Sequence, residues 1–261
     1  MRLLRLLWVF LRVGVMGEAA YPANFLAHLL DSALELGTAL AGLALIFAHT
    51  ATLGGWRSDE LVALVGVYFL VGGVIGLVIQ PGMEQLTESV RDGTLDFTLT
   101  KPEDAQLLVS VWRVEIWKMI DVGLGFVVLA ISLTRLGERV GIPQAAAFAA
   151  ALIAGGVIVY SFWLILATTA FWLVRVENIL VIFQSVYEAG RWPVSIYPGW
   201  LRFALTFLVP VAFAITVPAQ ALAGRLTWGV LLGAAGFAAV LFVAARVFWR
   251  TGIRHYSSAS S

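Results

Sequence analysis

Long uninterrupted apolar runs constrain this chain more than any other feature. A helix needs about 20 mostly apolar residues to cross a hydrocarbon core of about 30 Å. Six segments meet that requirement: about Ala23 to Ala48, Glu60 to Ile79, Ala105 to Thr134, Gln144 to Leu173, a run starting near Glu177, and Leu226 to Trp249. The runs do not alternate apolar with polar residues, so they specify helices and not barrel strands. The expected fold class is an all-α polytopic membrane protein, one transmembrane domain over residues 1–261.

Composition narrows the function classes. Charged residues make up 13% of the 261, about half of the ~25% usual in soluble domains. Mean hydropathy is +0.92. Too little polar surface remains to coat a soluble enzyme. A net charge of +1 offers no basic face for nucleic acid. With no cysteine and three histidines, thiolate metal sites and thiol redox chemistry are excluded. No metal site is expected.

Two regions depart from simple spans. The start, MRLLRLLWVFLRVGV, places Arg2, Arg5 and Arg12 near one helical face with leucines around the rest. Residues 1–20 are expected to lie in the interface as an amphipathic helix. A signal peptide is the lesser reading, because Arg5 and Arg12 interrupt the apolar run and Gly17-Glu18-Ala19 is a poor cleavage site. Later, Pro193, Pro198, Pro210 and Pro218 punctuate residues 192–223. Proline ends or kinks helices, so this stretch, with Trp200 inside it, is expected to be re-entrant or interfacial. Irregular backbone at membrane depth must be buried in protein or line a wet cavity.

Lysine and arginine set the orientation. With both termini in the cytosol, 11 basic residues fall on the inner side and 6 on the outer, which favours that topology. The expected location is the cell inner (plasma) membrane.

One long polar stretch, residues 80–104, would then face the cytosol. Met83, Leu86 and Val90 share one helical face at i, i+3, i+7, opposite Glu84, Glu88 and Arg91. Asp92-Gly93 is a helix stop. Pro102-Glu103-Asp104 reads as the first turn of the third span. The apolar face is either that of an ordinary amphipathic loop or a docking face for a cytosolic partner.

Ionisable residues inside spans default to functional candidates. His28, Asp31 and Glu35 form a stripe on the first span, satisfied by headgroups and the amphipathic helix or facing a pathway. Glu115, Lys118 and Asp121 are spaced for an ion triad on the third. Glu177, Asn178, Gln184 and Glu188 make the fifth polar, either at a pathway or at a subunit axis. Gly72, Gly73 and Gly76, and Gly229, Gly233 and Gly236, offer faces for close helix contact.

Four stretches in this order resemble the membrane subunits of ATP-binding-cassette (ABC) exporters of the second permease type, in the small six-span branch without a fused ATPase. They are Gly54-Gly55-Trp56; Arg91-Asp92-Gly93-Thr94-Leu95-Asp96 through Lys101-Pro102; Arg191-Trp192-Pro193 through Tyr197-Pro198-Gly199-Trp200 to Pro210; and Phe248-Trp249-Arg250 through Tyr256. The resemblance implies that residues 80–104 are the loop that couples to an ATPase, with Met83, Leu86, Val90, Arg91, Asp92, Gly93, Asp96, Lys101 and Pro102 at the contact. It implies extracellular-side re-entrant helices, two cytosolic ATPase subunits, and a second permease, either another copy or a different chain. The implied role is ATP-driven export of an amphipathic or lipid-like substrate. The chain has no GxxxxGK[ST] loop, so ATP and Mg would sit on the partner ATPase and no cofactor on this chain. The alternatives are an ion-coupled secondary transporter and an intramembrane lipid-modifying enzyme.

Overall fold

The computed structural model describes residues 22–137, 141–173 and 177–256. The amphipathic segment 1–20 falls outside them. Helix α1 (Pro22–Phe47) crosses first. Helix α2 (Ser58–Val74) continues through a π-helical turn (Ile75–Ile79) into α3 (Gln80–Arg91). Short helices α4 (Asp96–Leu99) and α5 (Ala105–Ser110) follow. A 3-10 turn (Ile116–Lys118) opens α6 (Met119–Leu136). Next come α7 (Ile142–Thr168), α8 (Glu177–Tyr187) and a 3-10 turn (Glu188–Arg191). Helices α9 (Gly199–Phe203), α10 (Val217–Leu222) and α11 (Trp228–His255) complete the chain. The fold is all-α and polytopic, as the apolar runs require.

Second and third expected spans are redrawn by one proline. The second span runs on without a break as one 34-residue helix, Ser58–Arg91. Pro81 lacks an N–H and displaces the carbonyl of Leu77, four residues back. The π-turn absorbs the misfit, and the freed Leu77 carbonyl accepts from the Glu115 N–H at 3.0 Å. That bond holds Val111–Glu115 out of helical geometry. The third crossing therefore starts at Ile116 and not near Ala105. Likewise Pro102 lies outside any first turn: Asp104 is the residue that caps α5, accepting from the Gln106 and Leu107 N–H groups.

Helix α2 is the central span. Its contact with α6 is the most extensive in the chain, and glycines make it close. A Cβ on Gly125 would meet the Leu70 backbone nitrogen at 2.5 Å, and one on Gly73 would meet the Val122 nitrogen at 2.7 Å. Gly76 abuts Lys118, and Gly72 abuts Tyr187. Without a hydrophobic drive between helices in lipid, such close contact supplies the dispersion energy. By contrast, Gly229, Gly233 and Gly236 on α11 meet nothing within 4 Å. Helix α7 packs against α11 and against the segment 212–222. Trp163, Ile158 and Leu164 on α7 and Met83 and Leu86 on α3 are sealed in the core.

Five helices among the described residues are long and apolar enough to cross a membrane, or six if a bent pair counts as one. The bent pair is Gly199–Leu208 and Ala212–Leu222, meeting at 83° around the buried Pro210. Both of its ends return to the same loop. Ser195 donates to the Gly54 carbonyl at 3.3 Å, and Arg225 to the Gly55 carbonyl at 2.7 Å. In the fifth expected span, the described part of α8 has 11 residues, about 16 Å at 1.5 Å per residue. Its end meets the bend, because Gly190 seats against Val211 and Ile215. Pro193 and Pro198 then carry the chain onward through a 3-10 turn (Val194–Ile196). There Ile196 N–H bonds Pro193 and Tyr197 Oη donates to Ala189 at 2.9 Å, so the irregular backbone is internally satisfied.

Candidate functional site

Polar side chains gather at three levels. At the end that carries residues 92–104, α3 stops where Gly93 takes φ +68°, a conformation that costs glycine little. The apolar face of α3 is not on offer to a partner. Met83 and Leu86 are 0% exposed and Val90 packs on the same core. These three side chains, expected at the docking contact, belong with Leu95 and Val109 to the same core cluster of this chain. What faces out is the loop tip: Arg91, Asp92, Thr94, Lys101 and Pro102 are exposed, and Phe97 is 75% exposed. Arg91 pairs with Asp92 at 3.0 Å. Asp96 is half-buried, with Tyr256 beside it.

The loop's return is bolted to the bundle. Arg246 of α11 grips Asp104 through both guanidinium nitrogens and also reaches Gln106. Gln106 donates to Tyr160 Oη on α7 at 3.0 Å, and Ser110 shares that hydroxyl at 2.7 Å. The Arg246 hydrogen bond holds the Asp104 carboxyl below its usual range. A lowered folded-state pKa means the bond is fully present above the unfolded value near 4, and it is lost only as acid passes the folded one. From the sequence, Asp104 belongs to an expected first helical turn and nothing connects it to Arg246. Their 142-residue separation leaves no periodic trace.

Between the two ends the expected stripes are split. Glu35 turns inward and pairs with Arg191 at 2.5 Å, accepting also from Tyr68 at 3.4 Å. Asp31 is exposed. His28 stacks on Trp117 with centroids 4.0 Å apart. The Glu115–Lys118–Asp121 triad becomes two pairs. Lys118 bonds Asp121 at 2.9 Å, which also accepts from Ser32 at 2.5 Å. Glu115 is near Arg113 at 3.5 Å, and burial pushes its carboxyl up. Gln184 and Glu188 of the fifth segment line a cavity of about 140 Å³ together with Glu35, Lys118 and Asp121. Its wall includes Tyr68, Phe69, Trp163, Phe183 and Tyr187, and its floor Gly72, Gly73 and Gly76. The side chains of Glu177 and Asn178 fall outside the described set.

At the opposite end Glu60 is 3% exposed. It binds Arg225 at 2.7 Å and accepts from the Arg57 N–H at 2.8 Å. Arg225 also lies over the Trp56 ring, 5.4 Å from its centroid. Trp56 Nε1 donates to Ser195 at 3.2 Å. Gly54-Gly55-Trp56 is thus the seat for both ends of the bent pair. Among the proline-region residues, Pro193 and Pro210 are buried and Pro198 is exposed, while Trp200 is 73% exposed.

No curated protein and no solved structure gave a match to this chain. The family model for ABC-2 family transporter proteins matches residues 33–260, a span that takes in the central helix, the bolted loop, the cavity and the bent pair. A multi-pass bundle of apolar helices matched over nearly its full length in this way is a permease of the ABC transporter class, and the chain belongs to the ABC-2 transporter family.

Proposed function

We propose that this chain is the membrane-spanning half of an ABC exporter, moving an amphipathic substrate with ATP hydrolysed by separate cytosolic subunits. The observation that carries this reading is the loop at 92–104. Its apolar side is consumed by the core, its base is tied to α7 and α11, and its tip presents a lone aromatic, Phe97, among Arg91, Asp92, Thr94 and Lys101. An aromatic anchor ringed by polar groups suits a groove on a partner. Movement of a docked ATPase would reach α7 and α11 through Arg246, Gln106 and Tyr160. Two ATPase subunits and a second permease complete the proposed unit, with both termini cytosolic and the bent pair entering from the outside.

The test is co-purification with the cognate ATPase in mild detergent. Phe97→Ala should lower ATPase recovery by about tenfold, the factor that ~1.4 kcal/mol carries, with the permease peak in size exclusion unchanged. Recovery equal to the parent chain removes the loop from the interface. Arg246→Lys separates docking from transmission. Lysine cannot hold Asp104 and Gln106 in one planar fork. ATPase recovery should stay normal while substrate-stimulated hydrolysis in proteoliposomes falls by roughly an order of magnitude. Full stimulation in that variant would remove the bolt from the transmission route.

A further inference from the structure

We propose that the cavity between the two ends is a headgroup site for an amphipathic organic cation, a quaternary or primary amine with a hydrocarbon tail; this rests on the transport reading above and names its substrate class. The charges in the wall are unevenly matched. Lys118 is paired with Asp121, and Glu35 with Arg191, which is not itself among the lining residues. Glu188 lines the same cavity and has no ion-pair or hydrogen-bond partner among the described residues. An unmatched carboxylate beside aromatic faces is a setting that attracts ammonium groups. The chain already shows the preference with its own cation: the Arg191 guanidinium lies 5.4 Å from the Tyr68 ring centroid while it pairs with Glu35. Tyr68 itself stacks on Tyr187 with centroids 5.2 Å apart.

Two further features set the ligand's shape. The cavity, about 140 Å³, accepts a headgroup and leaves a long tail outside among apolar side chains. Trp163 keeps its indole N–H buried without an acceptor among the described residues, and it lines the same cavity. An oxygen close to the ammonium, as in a choline ester, would give that donor a partner. An anionic headgroup meets three lining carboxylates, Glu35, Asp121 and Glu188, and one lining cation, Lys118, already paired with Asp121; a neutral one leaves Glu188 without a counter-charge.

The experiment uses the full chain in nanodiscs of zwitterionic lipid, with tritiated lauroylcholine as probe and empty discs subtracted. Saturable binding is expected, displaced by unlabelled lauroylcholine and not by dodecyl sulfate. Glu188→Gln should weaken it about tenfold, while Glu188→Asp should recover most of the loss. Glu188 is exposed, so these variants keep the parent's elution profile. Equal displacement by the sulfate, equal affinity in Glu188→Gln, or no saturable binding overturns the proposal. No ATPase is present in this assay, so its failure leaves the docking reading standing, and loss of docking leaves the headgroup site standing.

Discussion

Leucine at position 125 is expected to prevent the bundle from forming. Gly125 faces α2 at a point where even a Cβ would sit 2.5 Å from Leu70 N and 2.8 Å from the Gly66 oxygen. Those atoms belong to a helix backbone and cannot rotate aside. Overpacking of soluble cores costs typically ~1–3 kcal/mol because side chains yield; here the penalty should exceed that range, since α2 and α6 must move apart as bodies. The contact at stake is the broadest in the fold. Gly125→Ala should already lower the detergent unfolding midpoint by several degrees, and Gly125→Leu should elute as aggregate. Gly123, two residues earlier on α6, is exposed and meets nothing within 4 Å. Gly123→Leu should behave as the parent chain does. Equal behaviour of the two leucine variants would mean that α2 and α6 are not packed as described.

The difference between those glycines also marks what sequence could and could not disclose. Apolar run length depends only on the bilayer's thickness, so α1, α7 and the starts of α2 and α11 are legible to within a few residues, whereas α2 continues past its expected end to Arg91 and α11 past its own to His255. Whether a glycine stripe is used depends on what lies opposite. Gly72, Gly73 and Gly76 find Tyr187, Val122 and Lys118, whereas a Cβ on Gly229, Gly233 or Gly236 finds no neighbour within 4 Å among the described residues. The same limit governed the polar residues. Periodicity pairs residues three and four apart, which recovered Lys118 with Asp121. It could not pair Glu35 with Arg191, 156 positions away. It read Glu115 as a charge on a helix face, although the Glu115 backbone serves a carbonyl that Pro81 set free. The amphipathic pattern of α3 is present as a pattern, and its apolar face, Met83 and Leu86, is 0% exposed and part of this chain's core.

A common logic links the loop end to the opposite end. Three carboxylates are tied to an arginine from another segment: Asp104 to Arg246, Glu35 to Arg191, Glu60 to Arg225. Each tie joins elements that a rocking permease would have to move against each other or carry together. Arg246 fastens the loop to the last span, and Arg225 fastens the return of the bent pair to the start of the central helix. Proteins that shift between states need such discrete contacts, since only an interaction that differs between two arrangements biases their populations.

Arg225→Met should be the most damaging single change at that opposite end. It leaves the Glu60 carboxylate, which is 3% exposed, with the Arg57 N–H at 2.8 Å and the more distant Arg57 Nε at 3.6 Å. Removing one partner of a sealed pair costs roughly 3–5 kcal/mol. Arg225 is itself part-exposed, with 38% of its side chain accessible, and Arg57 stays, so the loss should be about 2–3 kcal/mol. Glu60→Gln should cost less, because glutamine keeps an acceptor for the Arg57 N–H and leaves no buried charge. The double variant, Glu60→Gln with Arg225→Met, should therefore regain much of what Arg225→Met loses. Unfolding midpoints of the four chains in one detergent measure this directly. If the two losses simply add, Arg225 acts through its packing on Trp56 and its bond to the Gly55 carbonyl, and not through the carboxylate it faces.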